Sequence, residues 1–244
     1  MDFQPPETVD LTNVYSLNRA FLTLLTSGGE ALGNREPRPV AFVAGLGKLD
    51  RRRRRRLAET PFLLFSLAEN DVPRWRPVFT GAREIDMFDN LDRPTVDEAR
   101  IVQAAIGFLW QLAKKRPYAA RVISGASYYW CERLALCTLV DLFNFAANEP
   151  RLLTLRMADN AALWHKLVVG GTSDDVNIRA TAKLSALQTV LTMIGDESSE
   201  RLPAAACSMP APSTRVAERA AVSQDTARGY NTPPDESAVD KKPD

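Results

Sequence analysis

Residues 126–147 constrain the fold more than any other stretch. Over these 22 positions only Glu132, Arg133 and Asp141 carry charge. Read as one helix, the segment is apolar on nearly every side. Three charges make it a poor bilayer span, and no stretch of 18 residues in the chain is free of charge, so no membrane crossing is expected. A helix that is apolar all round must be covered by other helices, which places it in the middle of a bundle.

The rest of the chain supplies those helices. Asp10 is placed to cap a first helix that ends at Ser27, before Gly28-Gly29. Val14, Leu17, Phe21 and Leu24 recur at steps of three, four and three, one apolar stripe. A loop at 33–39 and an apolar segment at 40–46 follow. Residues 49–59 are good helix formers, interrupted at Thr60-Pro61. Residues 62–67 are apolar without a clear period and fit either a new helix or a short strand. Residues 71–94, with Pro73, Pro77 and Pro94, read as a connector holding at most one helical turn.

Thr95 and Glu98 form a capping box, and the helix they open runs to Arg116 with Val102, Ile106, Leu109 and Ala113 inward. A short helix at 117–123 closes at Gly125, and another at 160–169 stops at Gly170-Gly171. The last helix spans 174–194, with Gly195 after it. Ala180, Leu184, Leu187, Leu191 and Ile194 make a seam spaced four, three, four, three. From Asp196 onward Pro, Ala, Ser, Asp and Glu dominate and no apolar period survives, the composition of a disordered tail. No internal repeat is visible. The expected fold is all-α: an irregular helical bundle with a disordered C-terminal tail, divided into an N-terminal region (1–70), a connector (71–94), a bundle (95–195) and the tail (196–244).

Composition narrows the chemistry. Formal net charge is +1; residues 196–244 hold nine acidic and six basic groups, so that −3 in the tail leaves +4 on the body. Three cysteines, an odd number, point to a reducing compartment. On one helix Cys131 and Cys137 would stand about 240° apart and could not pair. The N-terminus lacks the basic and apolar regions of a signal peptide, so a cytoplasmic protein is expected. His165 is the one histidine, and no cysteine spacing suits a metal. Gly170-Gly171-Thr172-Ser173-Asp174-Asp175 lacks the Lys-Ser/Thr ending of a phosphate loop and reads as a helix stop followed by a cap. No catalytic residue, metal site or cofactor is expected, and the chain does not read as an enzyme.

Residues 51–56 are six consecutive arginines. On a helix they advance about 100° each and point all round. Three readings stay open: a solvated helix face, an acidic protein partner, or nucleic acid, since guanidinium groups grip phosphate bidentately. The candidate phosphate contacts are Arg51, Arg52, Arg54, Arg55 and Arg56, with the stem of Arg53 laid over Leu49 and Leu57. Tyr128-Tyr129-Trp130 has the composition of a base-stacking cluster or of core.

Val14-Tyr15, Leu17-Asn18, Phe21-Leu22 and Leu24, and then Leu57-Ala58-Glu59-Thr60 preceded by Leu46 and Leu49 and followed by Leu63 and Phe65, carry a likeness. In their order and spacing the first third of the chain resembles the D subunit of the bacterial flagellar master transcription regulator. The likeness ends near Asp71, and the Arg run replaces a less charged helix. The resemblance implies a helical subunit that dimerises and joins a zinc-carrying C subunit to bind promoter DNA. It implies packing or dimerisation for Val14, Leu17, Phe21 and Leu24. The leading expectation is therefore a helical regulator that oligomerises, as a homodimer or with another subunit, and contacts DNA or another polyanion. The alternative is an interaction module without nucleic-acid contact.

Overall fold

The computed structural model describes residues 4–27, 45–81, 96–149 and 151–197, with side chains through Thr192. The chain divides into two units, Met1–Glu200 and Arg201–Asp244. All described residues belong to the first; the tail expected to be disordered lies outside them from 198 onward, as do the segment 28–44 and the cap Thr95.

The fold is all-α, with one two-stranded ribbon. The elements are α1 (Thr8–Thr26), α2 (Arg51–Ala58), β1 (Phe65–Ser66), α3 (Val72–Thr80), α4 (Val96–Lys115), α5 (Pro117–Ser124), α6 (Tyr128–Leu136), α7 (Leu139–Asn148), β2 (Thr154–Leu155), α8 (Ala161–His165) continuing as a π turn (Lys166–Gly170), and α9 (Val176–Glu197). Among the described residues no helix is long and apolar enough to cross a membrane.

Local chemistry sets most boundaries. Glu7 and Asp10 form a reciprocal capping box at α1, with the Glu7 amide donating to Asp10 Oδ2 at 2.8 Å. Asp10 thus sits inside the first turn rather than at the cap. Gly125 (φ +64°) closes α5. The stretch expected as one apolar helix is two. The Thr138 hydroxyl accepts from the Asp141 amide (3.1 Å) and donates to Asp141 Oδ2 (2.6 Å), a new helix start that halts α6 at Leu136. The break turns Leu136 and Val140 outward, 76% and 67% exposed, so the stretch is not covered all round. The expected connector holds a nine-residue helix, α3, capped by Asp71 with Pro73 in its first turn, where a missing amide costs nothing.

In α1 Val14 and Phe21 are fully buried, whereas Leu17 and Leu24 flank the core half-buried; Leu22, Leu25 and Asn18 complete the inward face. The seam expected along α9 is out of phase. Ala180 is exposed, Leu184 is 62% exposed, and Leu187 and Leu191 are half-buried, while Ala186 and Val190 face inward. Small residues decide this: a Cβ on Gly170 would come within 2.8 Å of Ala182 Cβ, so α9 approaches the π turn through its alanine face. The helix also runs through Gly195 to Glu197, and Ile194 lies outside the described side chains.

Buried residues of 1–70 and 95–195 join one hydrophobic cluster, and a repeat absent from the sequence reading becomes visible there. Asp10 and Glu98, Val14 and Val102, Phe21 and Leu109, and Leu25 and Ala113 are buried pairs 88 positions apart on α1 and α4. The caps Asp50 and Thr138, and buried Leu57 and Phe145, relate α2 to α7 by the same step. One residue later in register, β1 answers β2, the positive-φ residues Ala68 and Met157 correspond, and so do the caps Asp71 and Asn160. Trp75 Nε1 donates to Leu67 O and Ala68 O, and Trp164 Nε1 to Arg156 O and Met157 O, the same reach in both halves. β1 and β2 pair antiparallel, Phe65 with Leu155 and Ser66 with Thr154, as a two-fold relation of the halves requires.

The helix phases make a prediction. Truncating Val14, Phe21 or Leu134 to Ala should lower unfolding free energy by about 2–5 kcal/mol in urea titrations. Leu184→Ala, on the exposed side of α9, should stay within about 0.5 kcal/mol of the parent.

Candidate functional site

α2 is the most charged element described. Asp50 starts it, its side chain accepting from the Arg53 amide at 2.7 Å. Leu57 and Ala58 are its only buried residues, so only its last turn reaches the core. Arg53, expected to lay its stem over Leu49 and Leu57, is exposed, and Arg54 turns back, Nε donating to Leu49 O at 3.0 Å.

Spacing sorts the other arginines onto two faces. Arg52 and Arg56, four apart, face the start of α9. The Arg56 side chain is 12% exposed; it donates to Thr172 O (3.1 Å) and Ser173 O (3.2 Å) and pairs with Asp174 Oδ1 at 2.7 Å. Arg52 lies 3.6 Å from the same carboxylate. The hydrogen bond from Arg56 holds the Asp174 carboxyl below its usual range, with Arg56, Arg52 and Arg53 adding charge attraction. Arg179 donates to Ser173 O and Asp174 O. Arg56 is thus spent on fastening the 172–174 turn. That turn follows a helix stop and leads into a cap in which Asp175 Oδ1 accepts from the amides of Asn177 and Ile178.

Arg51, Arg54 and Arg55 occupy the other face and, with Arg19, Leu22 and Thr23 of α1, line an open groove of about 520 Å³. Arg55 Nε also lies 3.4 Å from Glu59. Four guanidinium groups thus converge where α1 meets α2. The sequence reading missed Arg19. The signal was faint: one residue past buried Asn18, off the apolar stripe, with nothing to show that α1 packs on α2.

The repeat supplies an internal control. In the second half Gly107 stands where Arg19 does, Trp110 where Leu22 does, and Leu139, Leu142 and Phe143 where Arg51, Arg54 and Arg55 do. The Phe143 ring lies 3.5 Å from where a Gly107 Cβ would be, closing the gap between α4 and α7. Leu49 O takes its bond from Arg54; its counterpart Cys137 O takes one from Trp110 Nε1 at 2.9 Å. The corresponding helix pair thus forms with apolar side chains at these positions and without arginine.

Other candidates fall elsewhere. His165 is exposed on α8. Cys131 is buried, and burial pushes its thiol up to about 12, far from a nucleophile's range. Trp130 packs edge-on against Trp75 at 5.0 Å, in the core rather than free to stack. Among the described residues no cluster of His, Cys, Asp or Glu suits a metal ion. A ridge continued from residues 51–56 through Arg35, Arg38, Arg74 and Arg76 would favour nucleic acid; Arg74 is engaged by Asp71, Glu149 and Arg151 O, Arg76 is exposed, and Arg35 and Arg38 lie outside the described residues.

Two predictions follow from this geometry. Arg56→Ala should destabilise by about 1–3 kcal/mol by removing the side-chain donor to the carbonyl of buried Thr172, whereas Arg52→Ala, at an exposed pair, should change stability by less than about 1 kcal/mol; thermal and urea unfolding compare them. Lys183 Nζ donates to Glu59 O at 2.7 Å, and burial lowers its pKa from 10.5 to about 8. Between these values the unfolded chain binds more protons than the folded one, so this group adds stability as pH rises through that window. The stability of the parent relative to Lys183→Met should therefore grow from pH 8 to 10. Comparing the two proteins cancels the opposite contribution of the thiols, which both share.

No family model, no curated protein and no solved structure matches the chain.

Proposed function

We propose that the protein is a helical, regulator-like protein of the cytoplasm that contacts nucleic acid through α2. The observation that carries this reading is the guanidinium face of Arg51, Arg54 and Arg55 joined by Arg19, in a place where the second half of the chain is apolar. Exposed Arg52 and Arg53 extend the charge outward. Guanidinium groups grip phosphate oxygens bidentately, and released counterions drive the association. The likeness of the first third to a transcription-regulator subunit supports the same reading and adds a partner subunit. The α1 stripe is used inside the chain, where Val14 and Phe21 are buried, so an oligomer on this reading uses another surface. No catalytic step is assigned.

A second reading, a protein-interaction module, is favoured by the exposed Leu136 and Val140 at the α6–α7 corner.

Duplex-DNA titration against salt decides between them. Log affinity should fall linearly with log salt, and replacing Arg51, Arg52, Arg54 and Arg55 with Gln should flatten the slope by up to about 0.9 per lost phosphate contact. Preference among sequences supports a regulator, since phosphate contacts alone carry none. No binding of DNA or RNA by the folded protein at about 50 mM salt removes the nucleic-acid reading and leaves the interaction module.

A further inference from the structure

We infer that the groove between α1 and α2 is a binding site for a compact polyphosphate, a ligand carrying two or more phosphates in series. The inference shares arginines with the nucleic-acid reading but does not need it to hold.

The shape comes first. The lining residues belong to two helices that face each other, Arg19, Leu22 and Thr23 across from Arg51, Arg54 and Arg55. A ligand there sits between the helices rather than along one of them. The volume of about 520 Å³ falls in the range of small-molecule sites. A long polyanion lying along α2 would also use Arg52 and Arg53, but Arg52 faces Asp174, away from the groove.

The charge comes next. Guanidinium groups stay protonated at any working pH. Four of them line one concavity, and Glu59, beside Arg55, is the carboxylate that an ion pair brings to them. A single phosphate offers too few oxygens for four forks, whereas phosphates in series offer a bidentate partner to each. The helix N-terminus is not the attraction, because Asp50 already occupies it. The Arg54 bond to Leu49 O fixes the plane of that guanidinium before any ligand arrives, which lowers the ordering cost of binding.

The closed counterpart argues that the opening is specific. In the corresponding helix pair the Phe143 ring lies over Gly107, 3.5 Å from where a Cβ would stand. Arginine in the corresponding places lines an open groove and brings like charges to one concavity. An anion in the groove relieves both.

The test is calorimetric titration of the full-length protein with inorganic tripolyphosphate, orthophosphate and a nucleoside triphosphate at low salt. Tripolyphosphate should bind with one-to-one stoichiometry and well ahead of orthophosphate. Arg19→Gln should weaken it about tenfold or more, with Arg19→Lys intermediate because charge remains but the fork is lost. Arg19 is exposed, so neither variant endangers folding. The double variant Arg52→Gln, Arg53→Gln should leave tripolyphosphate binding unchanged while flattening the DNA salt slope. A nucleoside triphosphate that matches tripolyphosphate assigns recognition to the phosphate chain; tighter binding assigns it to a nucleotide. Both outcomes support the site. Tripolyphosphate binding no tighter than orthophosphate, or weakened equally by Arg19→Gln and by the Arg52/Arg53 double variant, overturns it. If DNA binding then survives, the nucleic-acid reading stands without this site.

Discussion

The fold depends on satisfying the backbone of one extended segment buried among helices. Thr60, Phe62, Leu63, Leu64, Phe65 and Leu67 are all at most 2% exposed, yet none of them lies in a helix. Each amide and carbonyl buried there without a partner would cost about 1–3 kcal/mol. Asn18 answers from α1. Its Nδ2 donates to Ala58 O, Thr60 O and Phe62 O, and its Oδ1 accepts from the Leu64 amide at 2.8 Å. Arg156 answers from the far half, donating to Leu63 O and Phe65 O at 2.7 Å each, and its own amide bonds Leu64 O. The Leu63 amide reaches Ile123 O. One segment thus fastens α1, the end of α2, α5 and β2.

Burying Arg156 requires an equally buried partner. Glu69 lies 2.8 Å from it, with the two side chains 3% and 7% exposed, and its second oxygen accepts from the Ser66 hydroxyl and the Leu67 amide. A buried pair of this kind is tolerable because each guanidinium nitrogen and each carboxylate oxygen has a partner; removing one partner strands a charge. The same network accounts for Gly125. A Cβ there would stand 2.7 Å from Arg156 Nη1 and from Val190 Cγ1, and the backbone is at positive φ besides. Glu69 and Arg156 also break the repeat, since their counterparts, Ala158 and Leu67, are uncharged. The two-fold frame is shared; its polar centre belongs to one arrangement only.

What could be read from the sequence follows from how local each cause is. The helix stop at Gly125 and the inward face of α4 rest on a few adjacent residues, and they stand where the pattern puts them. Asn18 reads as a polar interruption of an apolar stripe, because its partners are 40 or more residues away. The α6–α7 break turned on one hydroxyl that outcompeted a strong apolar run. Along α9 the leucines suggested a seam, but close approach to Gly170 selects alanine, and periodicity cannot register what a neighbour excludes. The repeat escaped notice because burial and capping recur while few residue identities do: Ile106 stands in the place of Asn18, and an arginine face answers a leucine–phenylalanine one. For the groove, the run on α2 was plain, but its division into a structural and an open face needed the positions of Asp174 and Arg19.

That division bears on why so charged a helix is stable. Six like charges within eight residues repel at every three- and four-residue spacing, each such pair costing a few tenths of a kcal/mol. Asp174 draws Arg52 and Arg56, Glu59 draws Arg55, the carbonyls of residues 172 and 173 hold Arg56 further, and that of residue 49 orients one more guanidinium group, Arg54. These contacts lie on the rim and at the C-terminal end of α2. They leave Arg51 and Arg19 facing the groove, where the second half of the chain has Leu139 and Gly107. Repulsion is therefore reduced wherever the fold supplies a partner and persists where the helices stand apart. At these places the corresponding helix pair carries uncharged residues. A phosphate ligand in the groove, as proposed, would neutralise the charge that persists at this open face.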